Sequence, residues 1–351
     1  MKKILLLVTL FATIISPGCH NQPAKVPGNE LVNDSMPGRI EIYDPQAIPL
    51  IDSNATIEII GRNYTWSEGP VWLPAEKALI FSDVPENKIY MWKPGGTVSL
   101  FLTPSGYTDT AKRDGENGSN GLALDKEGHL LLCQSGNRMV ARLNSSFLAP
   151  KPEFTILSAN YNGKRFNSPN DLVADSRNNI YFTDPIYGLP LHENDPTREL
   201  SFEGVYKISP DGTTTLLIDT IKRPNGIALS PDEKTLYVAS SDSEHPRWLA
   251  YKLNDAGQIL SGGVLLDATD IIKMATVKQG ADGFKVDNLG NIFSSGPDGV
   301  NIISPEGKRL ALIKIYNRST SNCAFNETKD ILFITADDVV LKVTLHPKIS
   351  Q

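Results

Sequence analysis

The stretch Arg223-Pro224-Asn225-Gly226-Ile227-Ala228-Leu229-Ser230-Pro231-Asp232-Glu233-Lys234-Thr235-Leu236-Tyr237-Val238 is two strands and a turn. Ile227 and Leu229 alternate with smaller residues, as in a half-buried strand. Ser230 to Lys234 is turn chemistry, because proline presets φ and aspartate bonds back to nearby backbone. Leu236-Tyr237-Val238 resumes as β-rich sequence. A polar residue and a glycine, Asn225-Gly226, stand at the entry to the first strand.

The same pattern recurs along the chain. Glu68-Gly69-Pro70-Val71-Trp72 leads to Leu79-Ile80-Phe81, Asn120-Gly121-Leu122-Ala123-Leu124 to Leu130-Leu131-Leu132, and Asn170-Asp171-Leu172-Val173-Ala174 to Ile180-Tyr181-Phe182. Asp282-Gly283-Phe284-Lys285-Val286 leads to Ile292-Phe293, and Ser321-Asn322-Cys323-Ala324-Phe325 to Ile331-Leu332-Phe333. Six mostly β copies at intervals of roughly 40 to 57 residues predict an all-β fold, a six-bladed β-propeller with four-stranded blades. Equivalent places in the blades face one axis, so Glu68, Asn120, Asn170, Asn225, Asp282 and Ser321 are expected to converge at a polar centre. Ile57-Glu58-Ile59-Ile60 is a short strand, placed to close the ring on Val339-Val340-Leu341-Lys342-Val343 and so hide two strand edges.

Outside the repeats, Lys2 and Lys3 precede an apolar run from Ile4 to Ile15, too short for a stable membrane span. Ser16-Pro17-Gly18-Cys19 resembles a bacterial lipoprotein signal, although that pattern prefers leucine where Ser16 stands. It implies residues 1–19 as an export signal ending at a lipid-modified Cys19, and a periplasmic or outer-membrane-anchored product. The alternative is an ordinary secretory peptide. Residues 20–55, rich in Pro, Asn and Gly, read as a tether and irregular lead-in, with packing on the outside of the propeller as the other reading; 56–347 form the propeller. The net charge of -6 with no basic block argues against a nucleic-acid partner. Cys133 and Cys323 lie in apolar strand contexts and read as buried thiols. Two long connections, Pro104 to Gly118 and Asp184 to about Phe202, are placed to overhang the axis or to run as solvated surface.

Glu68, Asn170, Asn225 and Asp282 all offer oxygens. Hard oxygen ligands without thiolates or paired imidazoles select calcium or magnesium, and two carboxylates balance a divalent charge. The alternative is that Asn-Gly and Asp-Gly only make strand-entry turns; Glu68 is no turn specialist.

The segments Ser67-Glu68-Gly69-Pro70-Val71-Trp72, Arg165-Phe166-Asn167-Ser168-Pro169-Asn170-Asp171, Phe182-Thr183-Asp184-Pro185-Ile186-Tyr187-Gly188-Leu189, Pro224-Asn225-Gly226-Ile227-Ala228-Leu229-Ser230 and Ala281-Asp282-Gly283-Phe284 resemble the gluconolactonase, or SMP-30/regucalcin-like, family of six-bladed propellers. The resemblance implies one divalent metal, usually Ca2+ (with Mg2+, Mn2+ or Zn2+ as alternatives), held by Glu68, Asn170, Asn225 and Asp282, and hydrolysis of sugar-acid lactones. A phosphotriester or other ester hydrolase on the same metal, or a non-catalytic glycan- or peptide-binding propeller, are the rival readings. The resemblance places Asp282 beside the metal, where a carboxylate can take a proton from attacking water. Some family members carry an arginine where this chain has Ser168. Asn120, Arg165, Tyr187 and His245 are therefore the candidate substrate contacts, on a small-molecule lactone bound by a monomer. Asp184 reads either as a residue orienting an Asn ligand or as a turn former ahead of Pro185. In the sixth copy, Ser321 is the expected inward residue and Asn322 its neighbour one step round; a one-residue slip would exchange them, and neither is counted as a ligand.

Overall fold

Each polar–glycine copy begins the innermost strand of a small antiparallel sheet in the computed structural model, which describes residues 35–346. The expected export signal, Cys19 and the lead-in up to residue 34 lie outside the described residues, as do residues 347–351. The innermost strands are Ser67–Leu73, Ser119–Leu124, Leu172–Ala174, Pro224–Leu229, Phe284–Val286 and Thr320–Phe325. Each pairs with the strand after its turn, and neighbouring innermost strands pack side by side around the ring. The result is a six-bladed β-propeller. Among the described residues the one α-helix is Thr269–Met274.

Blades hold together through interleaved apolar faces. Leu73, Ile80 and Ile89 of the first blade pack with Leu122, Leu130 and Leu132 of the second, and the other seams repeat the pattern. The second strands of several blades are buried on both faces, as Ala78–Asp83 and Thr235–Ser240 are, and read as continuous apolar runs rather than alternating ones.

The ring closes through the N-terminal side of the chain. Ile57–Arg62 pairs antiparallel with Val339–Thr344 in the register Ile57 to Val343 through Arg62 to Val339. Ser67 Oγ ties the seam by donating to Val339 O at 2.8 Å. Residues 38–51 differ from the irregular lead-in that their composition suggests. Gly38–Ile42 adds a fifth strand to the fifth blade, paired with Arg309–Ile315. Ala47, Leu50 and Ile51 then drop into the core beside Ile313 and Leu341. Arg39-Ile40-Glu41-Ile42 alternates polar and apolar residues, a short strand signal among the Pro, Asn and Gly of the lead-in.

Candidate functional site

At the channel mouth the chain does something a simple turn would not. The pairing register shifts at the polar residue and its glycine in the first, second and fourth blades, between Glu68 and Val71, Ser119 and Leu122, and Pro224 and Ile227, and at Ser321 in the sixth, between Thr320 and Asn322. Such bulges re-aim a side chain out of the normal alternation. The glycine serves the neighbouring blade. A Cβ on Gly69, which sits at φ +53°, would meet Asn120 O, and one on Gly226 would meet Asp282 O at 2.3 Å. Asn-Gly and Glu-Gly here are close approaches between innermost strands.

Hydroxyls lock these approaches. Ser82 Oγ donates to Asn120 O at 3.0 Å, Ser135 Oγ to Pro169 O at 2.8 Å, Thr183 Oγ1 to Asn225 O at 2.7 Å, and Ser321 Oγ to Ser67 O at 2.6 Å. Ser241 Oγ does the same to Ala281 O. Each bond crosses from one blade to the next and contributes about 1 kcal/mol. Ser321 is thus a latch between the last blade and the first, and Asn322 is the residue that reaches the channel. The bulge after Thr320 produces this one-residue exchange.

Five polar side chains gather at the mouth: Glu68, Asn120, Asn170, Asn225 and Asp282, all in buried segments or half-buried at the opening. The Oδ1 atoms of Asn120, Asn170 and Asn225 are shielded from solvent and accept no hydrogen bond. Asn225 is fixed with its amide turned away, since Nδ2 donates to Ser241 Oγ at 3.1 Å. Glu68 is pushed up to about 8 by burial and then by the Asp171 carboxylate. Burial and then Glu68 hold Asp282 well above the usual carboxylate range. Buried carbonyl oxygens without donors, beside two buried carboxylates, are a donor set suited to a hard cation.

Asn170 is presented by a braced turn. Asp184 accepts from Asn167 N and Ser168 N, both at 2.8 Å, and is itself buried, which raises it to about 7. Arg138 Nε donates to Phe166 O at 2.6 Å from beneath. Asp184 therefore orients the segment carrying Asn170 in addition to preceding Pro185. Ser168 donates to Pro185 O at 2.6 Å and accepts from Gly188 N at 2.9 Å, pinning the loop that bears Tyr187.

The other candidate contacts separate. Tyr187 is half-buried, stacked by the Arg223 guanidinium at 5.4 Å, and feels the Asp282 charge. Arg165 is exposed on the short hairpin Asn160–Tyr161/Lys164–Arg165. His245 is exposed beside Asp242, whose carboxylate pairs with Lys222 at 3.0 Å. Cys133 and Cys323 are buried free thiols.

Three channel residues escape a reading of the sequence. Just inward of the mouth, Asn322 accepts from Lys285 Nζ at 3.1 Å and donates to Asp171 Oδ2 at 3.4 Å and to Glu68. Lys285 sits in an apolar strand pattern and Asp171 follows a louder asparagine, so neither stands out. The carboxylates Glu68, Asp171 and Asp282 outnumber Lys285, the cation set among them. The third, Glu116, lies in the first long loop and bonds Asn120.

Two other features lie away from this mouth. A cavity of about 510 Å³ opens at the far end of the channel, lined by turn residues such as Pro74, Pro231 and Lys329. None of its lining side chains carries a buried unpartnered polar atom among the described residues. Asp125, Glu127 and His129 cluster in a turn of the second blade. Their oxygens are engaged: Asp125 Oδ1 accepts from His129 N at 2.8 Å, and Glu127 Oε2 from Asn178 Nδ2 at 2.7 Å.

Comparison with known proteins agrees with this architecture. A family model described as the SMP-30/Gluconolactonase/LRE-like region matches residues 66–338. The gluconolactonase of Zymomonas mobilis subsp. mobilis is 37% identical over 319 residues, covering 89% of this chain and 87% of the relative. Regucalcin of Oryctolagus cuniculus is 25% identical over 274 residues, 76% of this chain and 81% of the relative. Among solved structures, a gluconolactonase from Xanthomonas campestris superimposes with a TM-score of 0.74 at 29% identity, covering 88% of this chain and 94% of that one.

Proposed function

The chain belongs to the SMP-30/gluconolactonase/LRE-like family, and on that premise we propose that it is a lactonase opening sugar-acid lactones with the help of a divalent ion. The observation that carries the reading is the trio of buried, donorless amide oxygens beside Glu68 and Asp282. Glu68, Asn170, Asn225 and Asp282 are the residues assigned to hold the ion, and all-oxygen donors favour calcium. A bound divalent ion supplies a Lewis acid for a carbonyl oxygen on which negative charge develops.

The chain's own groups do the rest. Asp282, beside the ion, is the carboxylate assigned to accept the proton of the attacking water. Glu68 carries charge to the ion without a part in proton transfer. The Asn225–Ser241 bond and the Asp184 clamp hold two amide oxygens in place before substrate arrives, so no reorganisation is spent on them. Asn120 and Tyr187 border the mouth and are assigned to substrate, ahead of the exposed Arg165 and His245.

The segment from Lys2 to Cys19 is read as a lipoprotein-type signal, making the protein an exported one. Cys19→Ser is then expected to move the chain out of the membrane fraction, and unchanged fractionation overturns the anchor.

The test of function is a panel of sugar-acid lactones, simple lactones, aryl esters and phosphotriesters, assayed with and without chelator on protein starting at about Asn21. Turnover of sugar-acid lactones that chelator abolishes and calcium restores is the expected result. Activity only on phosphotriesters or aryl esters, or on nothing, overturns it.

A further inference from the structure

The reading above leaves Glu116 unexplained. It ends the loop joining Ser99–Leu102 to Ser119–Leu124, four residues before Asn120. That loop is fastened on several sides. Gly118 N donates to Val84 O at 2.7 Å and Tyr107 N to Asn117 O at 2.6 Å. Asn87 accepts from Ser105 N at 3.0 Å and Gly106 N at 2.8 Å. Arg113 bridges the two long connections, donating to Glu116 O and to Gly188 O, each at 2.5 Å. The backbone of Glu116 is therefore held against both loops that border the mouth.

Its side chain is held too, but only in part. The carboxylate bonds the Asn120 side chain, while Oε2 is shielded from solvent and has no partner. The bond to Asn120 sets the Glu116 carboxylate beside the mouth residues, close enough to add to the field at Asp282. Leaving a buried acceptor unpaired costs about 1–3 kcal/mol, and more for a charged one. The buried orphans of the mouth do not supply the missing donor. These atoms, the Oδ1 oxygens of Asn120, Asn170 and Asn225, are acceptors as well. The one guanidinium alongside, that of Arg113, points bonds at main-chain carbonyls. A ligand with hydroxyls can supply the donor, and a polyhydroxylated lactone brings several O–H groups.

We propose that Glu116 contacts substrate, accepting a hydrogen bond from a ring or side-chain hydroxyl of the lactone while it holds Asn120 in orientation beside it. This rests on the lactonase reading and deepens it: Glu116 makes the site one for hydroxylated lactones. A site built to bond a substrate hydroxyl discriminates strongly against the analogue that lacks it, by up to about 10⁴–10⁵ in the best cases.

The experiment compares kcat/KM for glucono-δ-lactone and for δ-valerolactone, the same ring without hydroxyls, in the full chain and in Glu116→Gln and Glu116→Ala at saturating calcium. The ratio of the two substrates in one preparation is independent of how much protein is folded. Glu116→Gln is expected to lower the hydroxylated lactone by about 10–100-fold and δ-valerolactone by under about 3-fold, with the calcium Kd from calorimetry changed by under about 3-fold. Equal losses on both lactones, or no loss on either, overturn the proposal. So does a calcium Kd weakened as much as in Glu68→Gln, which would make Glu116 a ligand. A parent protein inactive on every lactone sinks the lactonase reading itself, whereas an active parent with an unchanged ratio sinks only the role of Glu116.

Discussion

The mouth of the channel and its floor are built from the same residue types in opposite states. Below, Asp171, Asn322 and Lys285 satisfy one another: Lys285 donates to Asn322, and Asn322 donates to Asp171, whose Oδ1 also takes Leu172 N at 2.9 Å. Above, Asn120, Asn170 and Asn225 present oxygens to nothing. A protein folded only for stability would close the upper set as it closes the lower. Closed networks rigidify a fold, and open ones retain binding capacity at a standing cost. Glu68 joins the two, raised by its mouth position yet bonded by Asn322 from below.

The largest expected break in this comparison is chemical. Asp282→Asn, assayed at saturating metal, should lose about 10²–10⁴-fold in turnover, the usual contribution of a positioned base. Glu68→Gln should lose metal affinity and regain much of its rate as calcium is raised. Near-parental turnover by metal-saturated Asp282→Asn would reduce Asp282 to a ligand. Next in size is linkage. A divalent ion at 100 times its Kd should add about 2.7 kcal/mol to unfolding, read as a higher Tm by calorimetry. No shift with any divalent ion at millimolar concentration would remove the open oxygens' stated purpose.

The floor should respond differently. Lys285→Met leaves Asn322 and Asp171 without their cationic partner and should cost about 1–3 kcal/mol in denaturant unfolding of the metal-free protein. Asn170→Ala removes an oxygen that already lacks a donor and should cost under about 1 kcal/mol under the same conditions. Equal losses would erase the distinction between the two ends. The last test concerns the clamp. Asp184 is raised in the folded state to about 7 by burial, above its unfolded value. Its contribution is therefore fully present below about pH 4 and is lost as pH rises towards 7. Relative to Asp184→Asn, which cannot titrate, the parent should lose stability across that window. Parallel stability curves from pH 4 to 8 would show that the two backbone donors outweigh the desolvation.

Much of this was legible beforehand, for identifiable reasons. The blades announce themselves because a polar residue, a glycine and a strand recur at one period, and the closing strand because Ile57-Glu58-Ile59-Ile60 is apolar where an edge must be covered. Glu68 is conspicuous because glutamate suits neither a turn nor a buried strand without a purpose. Asn322 was hidden by the bulge after Thr320, which moves every later side chain by one place. Lys285 was hidden by lying in an otherwise ordinary Phe-Lys-Val strand. Glu116 belongs to a loop with no periodicity, where only the three-dimensional route over the mouth reveals what the side chain faces.

Ring closure sets the order in which this molecule can come into being. The bond from Ser67 to Val339 spans 272 residues, and the last blade takes one strand from the early chain and three from its end. Until Thr320–Phe325, Ile331–Ala336 and Val339–Thr344 have been synthesised, the early strand Ile57–Arg62 has no companion, and the growing polypeptide is an open arc with bare edges. Such edges recruit other chains, and long-range pairing is slow to find. The circle can therefore shut only once the strands of the last blade have been made, and truncation even one blade short leaves a product without a seam.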